Sequence, residues 1–207
     1  MLAIAGGKGG TGKTTTTLAL AAAYGRQRRR VLAVDADADA PNLHLVAGVD
    51  AGEGVRALAA GRDPRAVARP APGTPGVWVA PARPGAPVAD ALDTLAVDEN
   101  ASVLVDCPAG AGPDAVAPLR AADRALLVTT PTRHAVADTV KTAAMARALD
   151  THVAGVLVTK TDTVPDRLAR AFDAPVLAAV PEATRLMKIS AARTVYDGIS
   201  GFLGPNP

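Results

Sequence analysis

The stretch Gly6-Gly7-Lys8-Gly9-Gly10-Thr11-Gly12-Lys13-Thr14-Thr15 limits this chain more than any other. It follows a short apolar run, Leu2 to Ala5, and opens a helix-favouring run, Thr16 to Tyr24. Gly7, Gly12, Lys13 and Thr14 meet the G-x-x-x-x-G-K-[ST] pattern in its required setting of strand, glycine loop and helix. Backbone N–H groups must turn inward around a polyphosphate, and glycine does this without steric cost. The helix that follows adds the positive end of its dipole. The phosphate cradle is therefore expected over Gly7, Gly9, Gly10, Thr11, Gly12, Lys13, Thr14 and Thr15. Lys13 should reach the β- and γ-phosphates, and the Thr14 hydroxyl should ligate Mg²⁺. Lys8 is a second lysine that the loop does not need. Two ammonium groups in one nest repel each other unless both find anionic oxygens.

The rest of the chain alternates. Apolar runs occur at Val31–Val34, Val77–Ala80, Val103–Val105, Ala125–Val128, Val153–Val158 and Val176–Val180, with helix-like stretches between most of them. The runs are near-continuous, as in strands buried on both faces. This predicts an α/β fold with a doubly wound, mainly parallel sheet and helices on both faces, built as one domain over residues 1–207. The length supports such a core: 207 residues, 49% hydrophobic and 20% charged. Ligands on such sheets sit beyond the carboxyl ends of the strands. The chemical letters should fall there.

Two acidic clusters do. Val31-Leu32-Ala33-Val34 runs into Asp35, Asp37 and Asp39 at alternate positions, then Pro41-Asn42-Leu43. Val103-Leu104-Val105 ends in Asp106, followed by Cys107-Pro108-Ala109-Gly110. An acid closing an apolar strand is the Walker B pattern, and Asp106 is expected to hold Mg²⁺ across from the phosphate loop. Cys107 reads as a small buried hydrophobe. A single cysteine excludes an intrachain disulfide and a C-x-x-C metal site. The scattered His44, His134 and His152 have no metal-ligand spacing, and Trp78 is expected to pack at a sheet edge or in the core. The run Arg26-Gln27-Arg28-Arg29-Arg30 reads as a solvated turn below the sheet.

Lys8-Gly9-Gly10-Thr11-Gly12-Lys13-Thr14, Asp35-x-Asp37 followed by Asn42-Leu43, and Asp106-Cys107-Pro108-Ala109-Gly110 closely resemble the motifs of the MinD/ParA family of deviant Walker A ATPases, the MinD-like branch above all. The resemblance runs from Met1 to about Ile199. It implies that ATP and Mg²⁺ are the cofactors. It implies catalytic roles for Lys8, Lys13 and Asp37, with Lys8 reaching across an ATP-dependent homodimer. It implies metal roles for Thr14, Asp37 and Asp106, with Asp37 near the attacking water and Asp35 supporting the Mg²⁺ shell or the loop. An activating protein partner is implied too, with the helix at about Ala135 to Leu149 bordering the dimer and partner surface. The resemblance implies a MinD-like role in division-site placement or spatial positioning; a ParA-like role on DNA is the second reading, which a net charge of +2 does not favour, and a nucleotide-binding scaffold with little hydrolysis is the third.

The base-contacting residues depart from the pattern. Thr159 and Lys160 stand where such ATPases place Asn and a basic residue, and Thr159-Lys160-Thr161-Asp162 resembles a guanine-reading motif of signal-recognition-type GTPases. A carboxylate at Asp162 can accept two hydrogens from guanine. ATP is the expected nucleotide and GTP the alternative, with Pro181 and Glu182 bordering the base. The end of the chain, Ser200-Gly201-Phe202-Leu203-Gly204-Pro205-Asn206-Pro207, lacks lysine and arginine and is short for an amphipathic anchor, so no stable membrane attachment is expected through it. With neither a signal-like start nor a long apolar run, the expected location is the cytoplasm.

Overall fold

In the computed structural model, residues 1–98, 100–182 and 190–204 are described. The strands are β1 (Leu2–Ala5), β2 (Arg30–Asp35), β3 (Arg69–Pro70), β4 (Val77–Ala80), β5 (Ala101–Asp106), β6 (Arg124–Thr129), β7 (His152–Thr159) and β8 (Val176–Val180). They form one sheet in the order β3-β4-β2-β5-β1-β6-β7-β8. Every pairing is parallel except β3 with β4. The expected α/β sheet is thus present, and β3 is an antiparallel edge that the apolar pattern did not announce. Pro70 is tolerated there because an edge strand need not donate outward.

The helices are α1 (Lys13–Arg26), α2 (Leu43–Ala47), α3 (Gly54–Ala59), α4 (Pro64–Val67), α5 (Val88–Asp93), α6 (Val116–Ala121), α7 (Arg133–Ala148), α8 (Asp166–Ala169) and α9 (Ser190–Leu203). Alternate strand residues divide the core. Ala3, Val34, Val103, Val105 and Leu127 face one side, with Val55 of α3, Leu92 of α5, Leu119 of α6 and Ala143 of α7. Leu2, Ile4, Leu104, Leu126 and Leu157 face the other, with Leu20 and Tyr24 of α1 and Tyr196 and Ile199 of α9. α1 is buried continuously from Thr16 to Ala23. It lies between the sheet and α9, which explains why its sequence is apolar all round rather than striped.

Two expectations change. The arginine turn is not merely solvated. Arg26 pairs with Asp197 of α9 at 2.6 Å, and Arg29 donates to the Gly204 carbonyl at 3.0 Å with its guanidinium 5.3 Å from the Tyr24 ring centre. Arg30 pairs with Asp98 at 2.8 Å. The chain's end is not a separate tail either: Ser200–Leu203 closes α9, whose Tyr196, Ile199 and Leu203 are buried while Phe202 is 62% exposed. Pro205, Asn206 and Pro207 lie outside the described residues. No described helix is long and apolar enough to cross a membrane.

Candidate functional site

The glycine loop leaves the end of the central strand β1 and enters α1. Gly12, at φ 90°, makes the turn into the helix in the left-handed region that favours glycine. Gly7 is required for a different reason. A Cβ there would lie 2.1 Å from the Asp138 carbonyl carbon and 2.3 Å from the Thr139 nitrogen. The loop is pressed directly onto the backbone of α7, and the Gly7 N–H donates to Thr139 Oγ1 at 3.3 Å. Thr139 in turn donates to the Ala135 carbonyl at 2.8 Å. Within the loop, the Lys8 carbonyl accepts from Thr11 Oγ1 at 3.2 Å and from Lys13 Nζ at 3.4 Å. Lys13 is buried, and burial lowers its pKa against the opposing fields of Asp106, Cys107 and Asp37. A buried ammonium that, among the described residues, donates to one carbonyl at 3.4 Å suits an anionic ligand. Lys8 is exposed, as are Gly9 and Gly10.

The register of the sheet brings the acids beside this loop. Asp35 of β2 pairs with Asp106 of β5, and Ile4 of β1 pairs with the same Asp106. Asp106 is 2% exposed. Burial first, then the charge of Asp35, push its carboxyl up to about 7. Hydrogen bonds from Thr14 and Thr17 and the charge of Lys13 oppose that rise. Burial likewise raises Asp35 to about 6, although it accepts from the Leu43 and Asp37 amides at 3.1 and 3.2 Å. Of the two parts expected for Asp35, the geometry displays the loop-holding one. Asp37 is half-buried, with Oδ1 accepting the Ala40 N–H at 2.9 Å.

The segment after Asp106 is tied to the same loop. Cys107 N donates to the Ile4 carbonyl at 3.1 Å, and Gly110 N to the Gly6 carbonyl at 2.9 Å. Burial drives the Cys107 thiol far above its ordinary range, so it holds no nucleophilic thiolate.

At the far end of the loop, Thr159 is buried. Its Oγ1 lies 2.6 Å from the Thr11 carbonyl and 3.0 Å from the Thr129 carbonyl. Its hydroxyl hydrogen is therefore used on backbone, joining β6, β7 and the phosphate loop. Lys160 adopts φ 59° and its Nζ is 3.5 Å from Glu182. The Thr161 N–H reaches the Val180 carbonyl at 3.2 Å, which draws the turn bearing exposed Asp162 toward Pro181. The base-contacting candidates are thus neighbours at the ends of β7 and β8.

All the candidate residues lie along the carboxyl edge of the sheet. Sequence reasoning missed Thr17, which donates toward Asp106 Oδ1 at 3.1 Å, and the grip of Thr139 on Gly7. The signal for Thr17 was its place one helical turn after Lys13, hidden in a run of four threonines. The donor set fits a phosphate chain with Mg²⁺: a glycine cradle, a buried amine, and a buried carboxyl sharing Thr14. Among the described residues no group of three or more His, Cys, Asp or Glu could hold a metal ion. Mg²⁺ commonly takes one or two carboxylates and completes its shell from phosphate and water.

Residues 2–194 match the model of the CobQ/CobB/MinD/ParA nucleotide binding domain. An uncharacterized ATP-binding protein of Methanocaldococcus jannaschii is 31% identical over 209 residues, covering 93% of this chain and 78% of that protein. The septum site-determining protein MinD of Pyrococcus horikoshii OT3, solved with Mg-ADP, superposes with a TM-score of 0.83 at 26% identity, covering 96% of this chain and 93% of that one. The cell division ATPase MinD of Pyrococcus furiosus gives the same TM-score at 28% identity, with 98% and 97% covered. A glycine cradle, a strand-end carboxyl and a family match spanning nearly the whole chain agree: this protein is a member of the CobQ/CobB/MinD/ParA family of nucleotide-binding domains.

Proposed function

We propose that this chain is an Mg²⁺-dependent, ATP-binding and ATP-hydrolysing switch that dimerises with ATP and acts in spatial positioning of the MinD type. The observation that carries this reading is the convergence of buried Lys13, the glycine cradle and the Thr14–Asp106 pair at one sheet edge. Support comes also from the Mg-ADP bound to the Pyrococcus horikoshii MinD and from the ATP binding named for the Methanocaldococcus jannaschii relative.

Loop amides and Lys13 would take the phosphates, Lys13 giving up the Lys8 carbonyl to do so. Thr14 and Asp106 would hold Mg²⁺, and Asp37 would support its water shell. Bound there, Mg²⁺ would neutralise charge building on the β- and γ-oxygens. Asp37, half-buried with Oδ1 accepting from Ala40, would orient the attacking water. Lys8, on the exposed shoulder of the loop, would serve the nucleotide of a second copy. Gly110, bonded to Gly6, would transmit the state of the phosphate loop to the segment after Asp106. The whole chain would act as one domain in the cytoplasm, with an activating protein partner.

Nucleotide-dependent dimerisation is the test, measured by light scattering with ATP and with GTP on wild type and Lys8→Ala. A dimer with ATP alone, lost in Lys8→Ala together with on the order of 10³-fold in hydrolysis rate, is expected. A wild type that stays monomeric at high ATP refutes the switch. A GTP-selective dimer assigns the base to Asp162 and guanine instead.

A further inference from the structure

We propose that Thr17 is a positioning residue that orients the Asp106 carboxylate toward a divalent cation. This rests on the reading that Thr14 and Asp106 hold Mg²⁺. Thr17 is completely buried, on the face of α1 that meets β5. Its Oγ1 lies 3.1 Å from Asp106 Oδ1 and 3.0 Å from the Lys13 carbonyl oxygen one turn back. A threonine has one hydroxyl hydrogen and here two acceptors. An ionised carboxylate is the stronger acceptor, so once Asp106 carries its charge the hydrogen belongs to Oδ1.

The neighbours make this bond decisive. Thr14 also favours the charged form of Asp106, but it is half-exposed at the mouth of the loop and is the hydroxyl a cation would recruit. Asp35, its partner across the β2–β5 register, is an acceptor already committed to the Leu43 and Asp37 amides, and its charge opposes that of Asp106. Lys13 would be drawn to the phosphates. When the site is loaded, Thr17 is the side chain left to fix the carboxylate, and its burial keeps water from replacing it. Supporting hydrogen bonds of this kind are commonly worth 10–100-fold in metal affinity.

The test measures binding rather than turnover. Mg²⁺ is titrated calorimetrically into protein saturated with ADP, and ADP is titrated separately in EDTA. Thr17→Val, which exchanges the hydroxyl for a methyl at nearly constant volume, should weaken Mg²⁺ by about 10–100-fold and leave the EDTA affinity for ADP unchanged. Thr17→Ser should restore Mg²⁺ binding to the wild-type level. Thr17→Cys, a weak donor, should fall between, and it decides the matter if the valine variant does not fold. Wild-type Mg²⁺ affinity in Thr17→Val or Thr17→Cys overturns the proposal, as does a serine variant that fails to recover. A wild type whose ADP affinity ignores Mg²⁺ overturns the underlying metal reading instead, before any substitution is made.

Discussion

In the absence of nucleotide and metal, Asp106→Asn should stabilise the fold at about pH 8 and have little effect near pH 4. The carboxyl of Asp106 is 2% exposed and rises from 3.8 to about 7, chiefly by burial. Between those values the unfolded chain has released a proton that the folded chain keeps. Stability therefore falls as pH climbs through that window, by about 1.4 kcal/mol per unit. Over roughly three units the ceiling is about 4 kcal/mol. Asp35, itself raised to about 6 beside it, shares the charge, so a gain of about 2–4 kcal/mol is expected. Asparagine preserves the shape and leaves an oxygen to accept from Thr17. Urea unfolding in EDTA at several pH values would follow the difference between variant and wild type, which cancels the titration of every group not coupled to Asp106. A difference that stays flat with pH, or is absent at about pH 8, refutes the placement of a charged carboxylate in a dry site. The same variant should lose the stabilisation that Mg-ATP gives the wild type, read as an absent shift in melting temperature.

Gly7→Ala should unfold or markedly destabilise the protein, by at least about 1–3 kcal/mol, because its Cβ would enter the α7 backbone. Gly9→Ala meets nothing within 4 Å and should stay within about 0.5 kcal/mol of wild type; comparing their melting curves separates packing from loop flexibility. Tyr24→Phe removes a buried hydroxyl that has no hydrogen-bond partner among the described residues, so it should be neutral or stabilising by up to about 1 kcal/mol in chemical denaturation.

Most of the sheet was legible because buried parallel strands are written as apolar runs. The seven expected runs all fall within strands, several short by one or two residues at the ends. Most of the extra residues, such as Arg30, Asp35, Asp106 and His152, are polar, and their strand state comes from register with neighbours rather than from apolar character. β3 was not legible: two residues, one a proline, carry no period. At the site, Gly7, Gly12 and Lys13 announced themselves because a phosphate nest admits few alternatives. Thr17 and Thr139 did not, since a threonine in a helix looks the same whether its hydroxyl meets its own backbone or another element. The grip of Thr159 on the Thr11 carbonyl was hidden for a related reason, because it depends on a neighbour 148 residues away.

The position of β1 has a consequence during synthesis. Among the described residues it pairs with β5 and β6 alone, and these follow it in the chain, beginning at Ala101 and Arg124. At roughly 5–20 residues per second, a ribosome leaves it without either neighbour for about 5–20 s. The glycine loop that follows lacks its anchors at Gly110 and Thr139 through the same interval. Nucleotide therefore has little to hold on a half-made chain, and its grip should mark completed molecules, arriving late and abruptly rather than growing with length.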